Sequence, residues 1–556
     1  MSVELYFNNH KFSVAKGSSL FEYAESFGIR VPTSCQKQGK CKECLVEITD
    51  GMEYLSEPVQ KESHLNGNFR LSCRTKIIAD SGIVRCNTMK RGKMKIENKA
   101  LHFAFNNKAF KIDPAVSRYG DRIFMDGKEI DRSSESIYGL AVDLGTTTIV
   151  VRLINLETGE LIADSSFENP QRFGGSDIMA RIYYDTEHKG KLLQRTIAGY
   201  LTHAIEEFPV DPNNIYEVII AGNSTMRDLF FRLNVYSIGQ NPYRSLTEIE
   251  MLNGKRMTTS LTGFPKRLLL PVNPKARIYG LPIISGHVGA DAAACMLAVD
   301  IANEERLVAI MDVGTNTELI LGNKQKILAA SCPAGPAFEG GRISCGMPGL
   351  PGAIEQVKMK PDGKFEFSVI DNVEAEGICG SGLIDLLGEL LKYDRINHLG
   401  RFQQSERFHA DGNKITLFSN EVHEVFINEK DINELAQAKG ANAAGLHVVF
   451  NKYGVKFDDV DFFYLAGGFG RYLNIESAKR IGLIPNIDDS KILQIGNASI
   501  EGASIALLSK SKRIELENLI KKVNHCRLET DPAFFDYFVE GCQFNPIKSL
   551  NLNNAV

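Results

Sequence analysis

The period of the hydrophobic pattern changes several times along the chain, and each change predicts an element. At residues 3–17, VELYFNNHKFSVAKG alternates apolar and polar positions on either side of Asn8-Asn9, which predicts a β-hairpin; SLFEYAESFG at 19–28 then predicts a short helix. From residue 138, YGLAVDLGTTTIVVRLINLETGELI reads as an apolar strand, a polar turn at 143–148, a second apolar strand and a turn at 157–159. The same pattern returns at 307–331 as LVAIMDVGTNTELILGNKQKILAAS. There Asp312, Gly314, Thr315, Asn316 and Thr317 follow the order of Asp143, Gly145, Thr146, Thr147 and Thr148, 169 residues later. One Asp-x-Gly-Thr turn would mean little, because Asp and Gly initiate hairpins for conformational reasons alone. Two of them, each between apolar strands, make an internal repeat and predict two related α/β halves. A third element, DFFYLAGGFGRYLN at 461–474, is an apolar strand running into Gly467-Gly468, and Gly496, Asn497 and Ala498 open a small-residue helix. Residues 91–137 are charged and weakly periodic, with short strands expected at 101–105 and 122–130, so they read as a linker.

Length and composition narrow the classes. A chain of 556 residues exceeds what one core sustains, so several domains are expected. With 43% hydrophobic and 24% charged residues it has the make-up of a globular protein, and no run approaches the roughly 18 apolar residues of a membrane span. The formal net charge of −4 gives no basis for a nucleic-acid partner, and the basic run at 90–95 is read as a solvated linker. The amino terminus lacks the apolar stretch of a signal peptide, so a cytoplasmic location is expected. Eleven cysteines in such a compartment point to metal binding or buried thiols rather than disulfides.

Four of those cysteines are spaced Cys35-x5-Cys41-x2-Cys44, with Cys73 after a further 28 residues, close to a plant-type [2Fe–2S] pattern whose first gap is four. Two irons each need two thiolates, which a wrapping loop and a distant strand can supply. Gly39 lets the loop turn, and Lys37, Lys40 and Lys42 add positive charge beside an anionic cluster. A structural zinc site is the alternative, although zinc ribbons usually bring two Cys-x2-Cys knuckles and this chain has one. Cys86 and the six cysteines beyond residue 290 show no ligand spacing and read as core thiols; the histidines likewise show none. Asn223, between an apolar strand and a helix, fits equally a helix N-cap and a phosphate-site residue.

The amino-terminal pieces resemble a β-grasp ferredoxin. The paired hairpins, the 465–470 glycine motif and the helix near 496–507 resemble the sugar kinase, chaperone and actin ATPase superfamily. Joined in one chain, with NPQRFGGSDIMARI at 169–182, AGNSTM at 221–226 and CPAGPAFEGG at 332–341, they resemble the reductive activators of corrinoid proteins. The resemblance implies an α/β multidomain architecture: a ferredoxin domain at 1–90, a linker at 91–137 and a duplicated actin-like ATPase at 138–556, with lobes of approximately 138–306 and 307–520 and a C-terminal tail. It implies a [2Fe–2S] cluster on Cys35, Cys41, Cys44 and Cys73, and ATP with Mg²⁺ in a cleft between the lobes. Asp143 and Asp312 would serve Mg²⁺ or the attacking water, with Glu339 the carboxylate best placed to orient that water. Gly145, Thr146, Thr147, Gly314, Thr315 and Asn316 would bind phosphates, and Gly467 and Gly468 the nucleoside. The implied activity is ATP-dependent reduction of a partner's cob(II)alamin to cob(I)alamin in a methyltransferase system, with an electron-donating reductase or ferredoxin upstream. Nucleic acid and membrane are not among the implied partners, and the oligomeric state is open, a homodimer included. With only 47 residues between the cluster module and the first phosphate hairpin, the middle domain of the longer family members is expected to be missing. A small-molecule kinase carrying a ferredoxin domain and a nucleotide-gated redox-sensing scaffold are the rival classes.

Overall fold

The alternation at the amino terminus closes as an antiparallel hairpin of β1 (Val3–Phe7) and β2 (His10–Val14), with Val3, Leu5 and Phe7 buried on one face, in a computed structural model that describes residues 2–8, 10–33, 35–89, 110–403, 414–420, 424–468 and 473–549. Ser19 starts helix α1 (Leu20–Ser26) through a capping box: its hydroxyl accepts from the Glu22 amide while its own amide donates to the Glu22 carboxylate at 2.7 Å. Strands β3 (Leu45–Asp50), β4 (Phe69–Leu71) and β5 (Gly82–Thr88) complete a five-stranded sheet of order β2-β1-β5-β3-β4, in which β1 and β5 run parallel. Leu20, Phe21 and Ala24 of α1 join the sheet residues in one core, giving the mixed sheet with a single grasped helix that the sequence predicts.

By internal contacts the chain divides into two units, one formed by the described residues of 1–93 and 114–281, the other by those of 94–113 and 282–556. In the first unit, part of the segment read as a linker is an antiparallel meander of β6 (Val116–Tyr119), β7 (Arg122–Met125) and β8 (Lys128–Arg132); the strand expected at 101–105 lies outside the described residues. A six-stranded sheet follows, built from β9 (Tyr138–Leu144), β10 (Thr148–Asn155), β11 (Leu161–Glu168), β12 (Ile215–Gly222), β13 (Leu261–Gly263) and β14 (Arg277–Gly280) in the order β11-β10-β9-β12-β14-β13. Its helices are α2 (Ile178–Glu187), α3 (Leu192–Glu206), α4 (Ser224–Phe230), α5 (Leu246–Leu252) and α6 (Pro265–Leu268). The ferredoxin sheet and this sheet are not separate cores: residues from Val3 to Met89 and from Leu140 to Ile278 share one apolar cluster.

The second unit opens with α7 (Ala290–Ala298) and repeats the arrangement. Strands β15 (Val308–Val313), β16 (Thr317–Gly322) and β17 (Ile327–Cys332) form a meander. A small sheet of β18 (Ala353–Met359), β19 (Phe365–Val369) and β20 (Gly377–Ile378), helix α8 (Gly380–Lys392), the pair β21 (Lys414–Ser419) and β22 (Glu424–Asn428), and the long α9 (Glu429–Tyr453) come next. Then β23 (Phe462–Ala466), α10 (Ile475–Ile481), β24 (Ile492–Gly496), α11 (Ala498–Leu508), α12 (Lys510–Ile520), β25 (Asn524–His525) and α13 (Phe534–Gly541) complete the sheet order β24-β23-β15-β16-β17-β25. The duplication is visible in strand order. In the first sheet a meander presents β9 to the parallel strand β12, and in the second a meander presents β15 to the parallel strand β23. Asp143 and Asp312 occupy matching places at the ends of β9 and β15, opposite Ala221 and Ala466 of those parallel neighbours.

Candidate functional site

The cysteine loop is shaped by left-handed residues. Gln36, Lys37, Gly39 and Lys42 all have φ between +50° and +70°, which turns the loop back on itself and brings amides toward sulfur. The Lys40 amide donates to Cys35 Sγ at 3.3 Å. A side chain at Gly39 would place its Cβ 2.8 Å from Arg74 Nε, so the tight turn and the approach of Arg74 both require glycine. Arg74 donates to the Lys37 carbonyl at 2.8 Å and Lys61 to the Gln38 carbonyl at 2.8 Å, clamping the loop with cations.

The four cysteines arrive as two pairs. Cys44 and Cys73 have their sulfurs 3.3 Å apart, and Cys35 is hydrogen-bonded to Cys41. Burial works against ionising Cys35, but the amides of Cys41, Lys40 and Gln38 and the Cys41 thiol outweigh it and bring its pKa to about 7. The hydrogen bond from Cys44 draws Cys73 down to about 7 against its burial, with help from Arg74 and the Gly39 amide, and the same bond leaves Cys44 strongly raised. Four sulfurs in two pairs, with an amide-lined loop beside them, match in number the thiolates that two irons require. Among the described residues no three His, Cys, Asp or Glu side chains gather as a single-ion site.

The first Asp-x-Gly-Thr turn joins β9 to β10. Thr146 Oγ1 accepts from Asn223 Nδ2 at 2.9 Å, and Asn223 Oδ1 accepts from the Met226 amide at 2.9 Å. Asn223 therefore caps α4, one of the two readings its sequence position allowed, and it also anchors the turn. Asn169 holds the other side, donating from Nδ2 to the Gly145 carbonyl at 2.8 Å and from its amide to the Thr147 carbonyl at 2.6 Å. Three residues on, Arg172 makes a forked ion pair with Glu47 of β3, at 3.1 and 3.3 Å, and a third bond to Glu168. Tyr184 Oη donates to the His64 carbonyl at 2.7 Å. The start of the 169–182 motif thus touches the turn through Asn169 and the ferredoxin sheet through Arg172, a pairing that residue types alone do not show.

The second turn joins β15 to β16. Thr315 Oγ1 donates to Glu339, and the Gly335 amide to the Thr315 carbonyl at 2.8 Å, so the glycine-rich loop from 333 sits on this turn. Farther along, the Met347 amide donates to the Ile378 carbonyl of β20 at 3.0 Å. Cys295 Sγ donates to Asp312 Oδ2 at 3.3 Å, and Glu318 lies directly opposite Asp312 in the strand register. Burial, reinforced by the charges of Asp291 and Asp312, holds the Glu318 carboxyl well above the ordinary range; Ser331 donates to it at 3.2 Å. Neither Glu318, in β16, nor Asp291, at the start of α7, was assigned a role from the sequence, and neither stands at a spacing that would have marked it. Gly467, at φ +106°, donates to the Gly496 carbonyl at 3.0 Å, and a Cβ there would lie 2.4 Å from the Val313 carbonyl oxygen. Its glycine lets β23 lean against the second turn, whereas a Cβ on Gly468 would meet nothing within 4 Å. A Cβ on Gly314 would press on the Asn316 carbonyl oxygen at 3.3 Å, and Asn316 stands half-buried at the tip of the turn.

Comparison with known proteins matches three successive regions of the chain. Residues 6–77 match the 2Fe-2S iron-sulfur cluster binding domain, residues 138–304 the RACo middle region, and residues 306–554 the C-terminal ASKHA domain of RACo. The middle region is therefore present, and it includes the sheet carrying the first Asp-x-Gly-Thr turn rather than residues 91–137, where its loss was expected. The corrinoid activation enzyme RamQ of Eubacterium limosum is 28% identical over 96% of this chain and 97% of its own length. A [Co(II) methylated amine-specific corrinoid protein] reductase of Methanosarcina barkeri is 27% identical over 72% of this chain and 76% of its own. The solved structure of a reductive activator for corrinoid, iron-sulfur protein superposes with a TM-score of 0.71 at 25% identity, covering 98% of both chains. With a ferredoxin domain, a middle region and an ASKHA domain in this order, the chain belongs to the family of reductive activators of corrinoid proteins.

Proposed function

We propose that this protein reduces the Co(II) form of a corrinoid protein to Co(I) in a step driven by ATP, using an electron from a [2Fe–2S] cluster. The observation that carries the reading is the occurrence, in one chain, of two thiol pairs in an amide-lined loop and of two Asp-ended hairpins in matched sheets. Cys35 with Cys41 would hold one iron and Cys44 with Cys73 the other. Once bound, the cluster supplies single electrons at a potential near −400 mV if it resembles plant-type ferredoxins. Every 59 mV that the acceptor lies below the donor costs tenfold in equilibrium constant, so a lower-potential cobalt couple needs a second energy source.

That source is assigned to the hairpins. Gly145, Thr146, Thr147, Gly314, Thr315 and Asn316 take up phosphate oxygens, Asp143 and Asp312 serve Mg²⁺ and the attacking water, and Gly467 and Gly468 admit the nucleoside. Glu339, bonded to Thr315, orients the water. Nucleotide binding can help only by favouring one cobalt state over the other, so it must act on the docked acceptor. Residence in the cytoplasm and loading of the cluster by a reductase or a second ferredoxin belong to the same reading.

The deciding experiment is an anaerobic assay of a cob(II)alamin protein with reductant, with and without Mg-ATP, followed at the cob(I)alamin absorbance. Co(I) should accumulate only with ATP. Equal accumulation without ATP, or a phosphorylated small molecule as product, would reject the proposal.

A further inference from the structure

Helix α3 of the first sheet's layer reaches the cluster loop. A Cβ on Gly199 would lie 2.7 Å from Cγ of Glu43, the residue before Cys44, so helix and loop are in van der Waals contact at this point. The next residue, Tyr200, is 3% exposed and packs in the same apolar cluster as Cys44, with its ring 6.1 Å from that of Phe167. Its hydroxyl is buried and has no hydrogen-bond partner among the described residues. A buried hydroxyl without a partner is uncommon in folded proteins and calls for a functional reason such as a redox role.

We infer that Tyr200 donates its hydroxyl hydrogen to a sulfur of the [2Fe–2S] cluster, making it a positioning residue that reaches the redox centre from the nucleotide-binding part of the chain. The inference rests on the cluster reading above. Burial keeps the phenol protonated, so it acts as a donor. Its position makes the interaction selective. The other donors around the loop are backbone amides and the side chains of the ferredoxin module itself, whereas Tyr200 belongs to the helix packed behind β11 and the 169–182 motif. A donor to sulfur stabilises the more negative, reduced cluster and raises its potential.

The test is Tyr200→Phe in the full-length, cluster-loaded protein. Iron and acid-labile sulfide should stay at two of each per chain if the cluster is bound as proposed, and the midpoint potential should fall. A five-fold loss of preference for the reduced state corresponds to about 40 mV at 59 mV per tenfold for one electron. A second readout does not depend on potential: exchange into D₂O should shift the Fe–S stretching bands of the wild type more than those of the variant. As a control, Tyr184→Phe removes a hydroxyl whose partner is the His64 carbonyl and should leave both signals unchanged. Equal potentials and equal deuterium shifts in the wild type and Tyr200→Phe overturn the inference while leaving the cluster reading intact. Absence of the cluster spectrum from the wild type would instead overturn that reading and the inference with it.

Discussion

Glu62 offers the sharpest test of how the cluster module is held together. Its carboxylate accepts from Arg70 Nε at 3.0 Å and Nη2 at 3.3 Å, from the Leu71 amide at 2.9 Å and from the Val59 amide at 2.9 Å. The side chains of the pair are 1% and 4% exposed, so neither charge can turn to water if the other is removed. Breaking a buried pair by deleting one partner costs about 3–5 kcal/mol, against about 0–1 kcal/mol for an exposed pair. Single domains are stable by only about 5–15 kcal/mol, so Glu62→Ala should remove a large share of the module's stability. Because Leu71 precedes Cys73 by two residues, the damage should reach the cluster. Purified Glu62→Ala should contain less iron, and its visible absorbance should bleach at lower denaturant than the wild type. Arg70→Met in the Glu62→Ala background removes the orphaned charge and should recover part of the loss, so the double variant costs less than the sum of the single ones. The pH dependence has a definite sign. Burial opposes ionisation of Glu62, but Arg70 and the amides of Val59 and Leu71 outweigh it, leaving the folded pKa below the ordinary 4.5. A depressed carboxyl pKa contributes stability that is present above the unfolded value and is lost as pH falls through the folded one, so acid bleaching should set in below about pH 4.5 and be absent between pH 5 and 7 for this group. A cost under about 1 kcal/mol for Glu62→Ala would show that the pair behaves as if solvated and would refute the argument.

Other outcomes follow from the same geometry. Cys44→Ala should lose the iron while retaining nucleotide binding, measured by iron content and by titration with a fluorescent ATP analogue. Asp143→Asn and Asp312→Asn should each lower ATP hydrolysis by at least a hundredfold with the cluster spectrum unchanged; wild-type turnover in either would end the paired-hairpin reading. Asn223→Ala removes an N-cap worth about 1 kcal/mol and the anchor of Thr146, so thermal stability and nucleotide affinity should fall together. Gly467→Ala forces a Cβ to 2.4 Å from the Val313 carbonyl at φ +106°, at a cost of about 1–3 kcal/mol, and should weaken nucleotide binding more than it alters the ferredoxin spectrum.

Much of the architecture is local and could be read along the chain. Near-continuous apolar runs define the strands on both sides of each Asp-x-Gly-Thr turn, Ser19 and Glu22 mark a helix start, and the cysteine spacing specifies a loop with one distant cysteine. These features depend on residues a few positions apart, for which backbone geometry alone sets the outcome. The duplication was legible for the same reason, because both copies keep the turn residues in order. What sequence could not supply is which surfaces meet. The 47 residues between modules read as a linker, and their β6–β8 meander was only partly foreshadowed. The cluster module is separated in sequence by a linker, yet its core is continuous with that of the first sheet, with Arg172 on Glu47 and Gly199 against Glu43. Glu318 opposite Asp312, and Asn169 on the first turn, are likewise pairings of distant positions. Such contacts depend on how whole apolar faces bury against one another. Many residues share the energy of that burial and none of them marks it, so only the tertiary structure decides which polar groups it brings together.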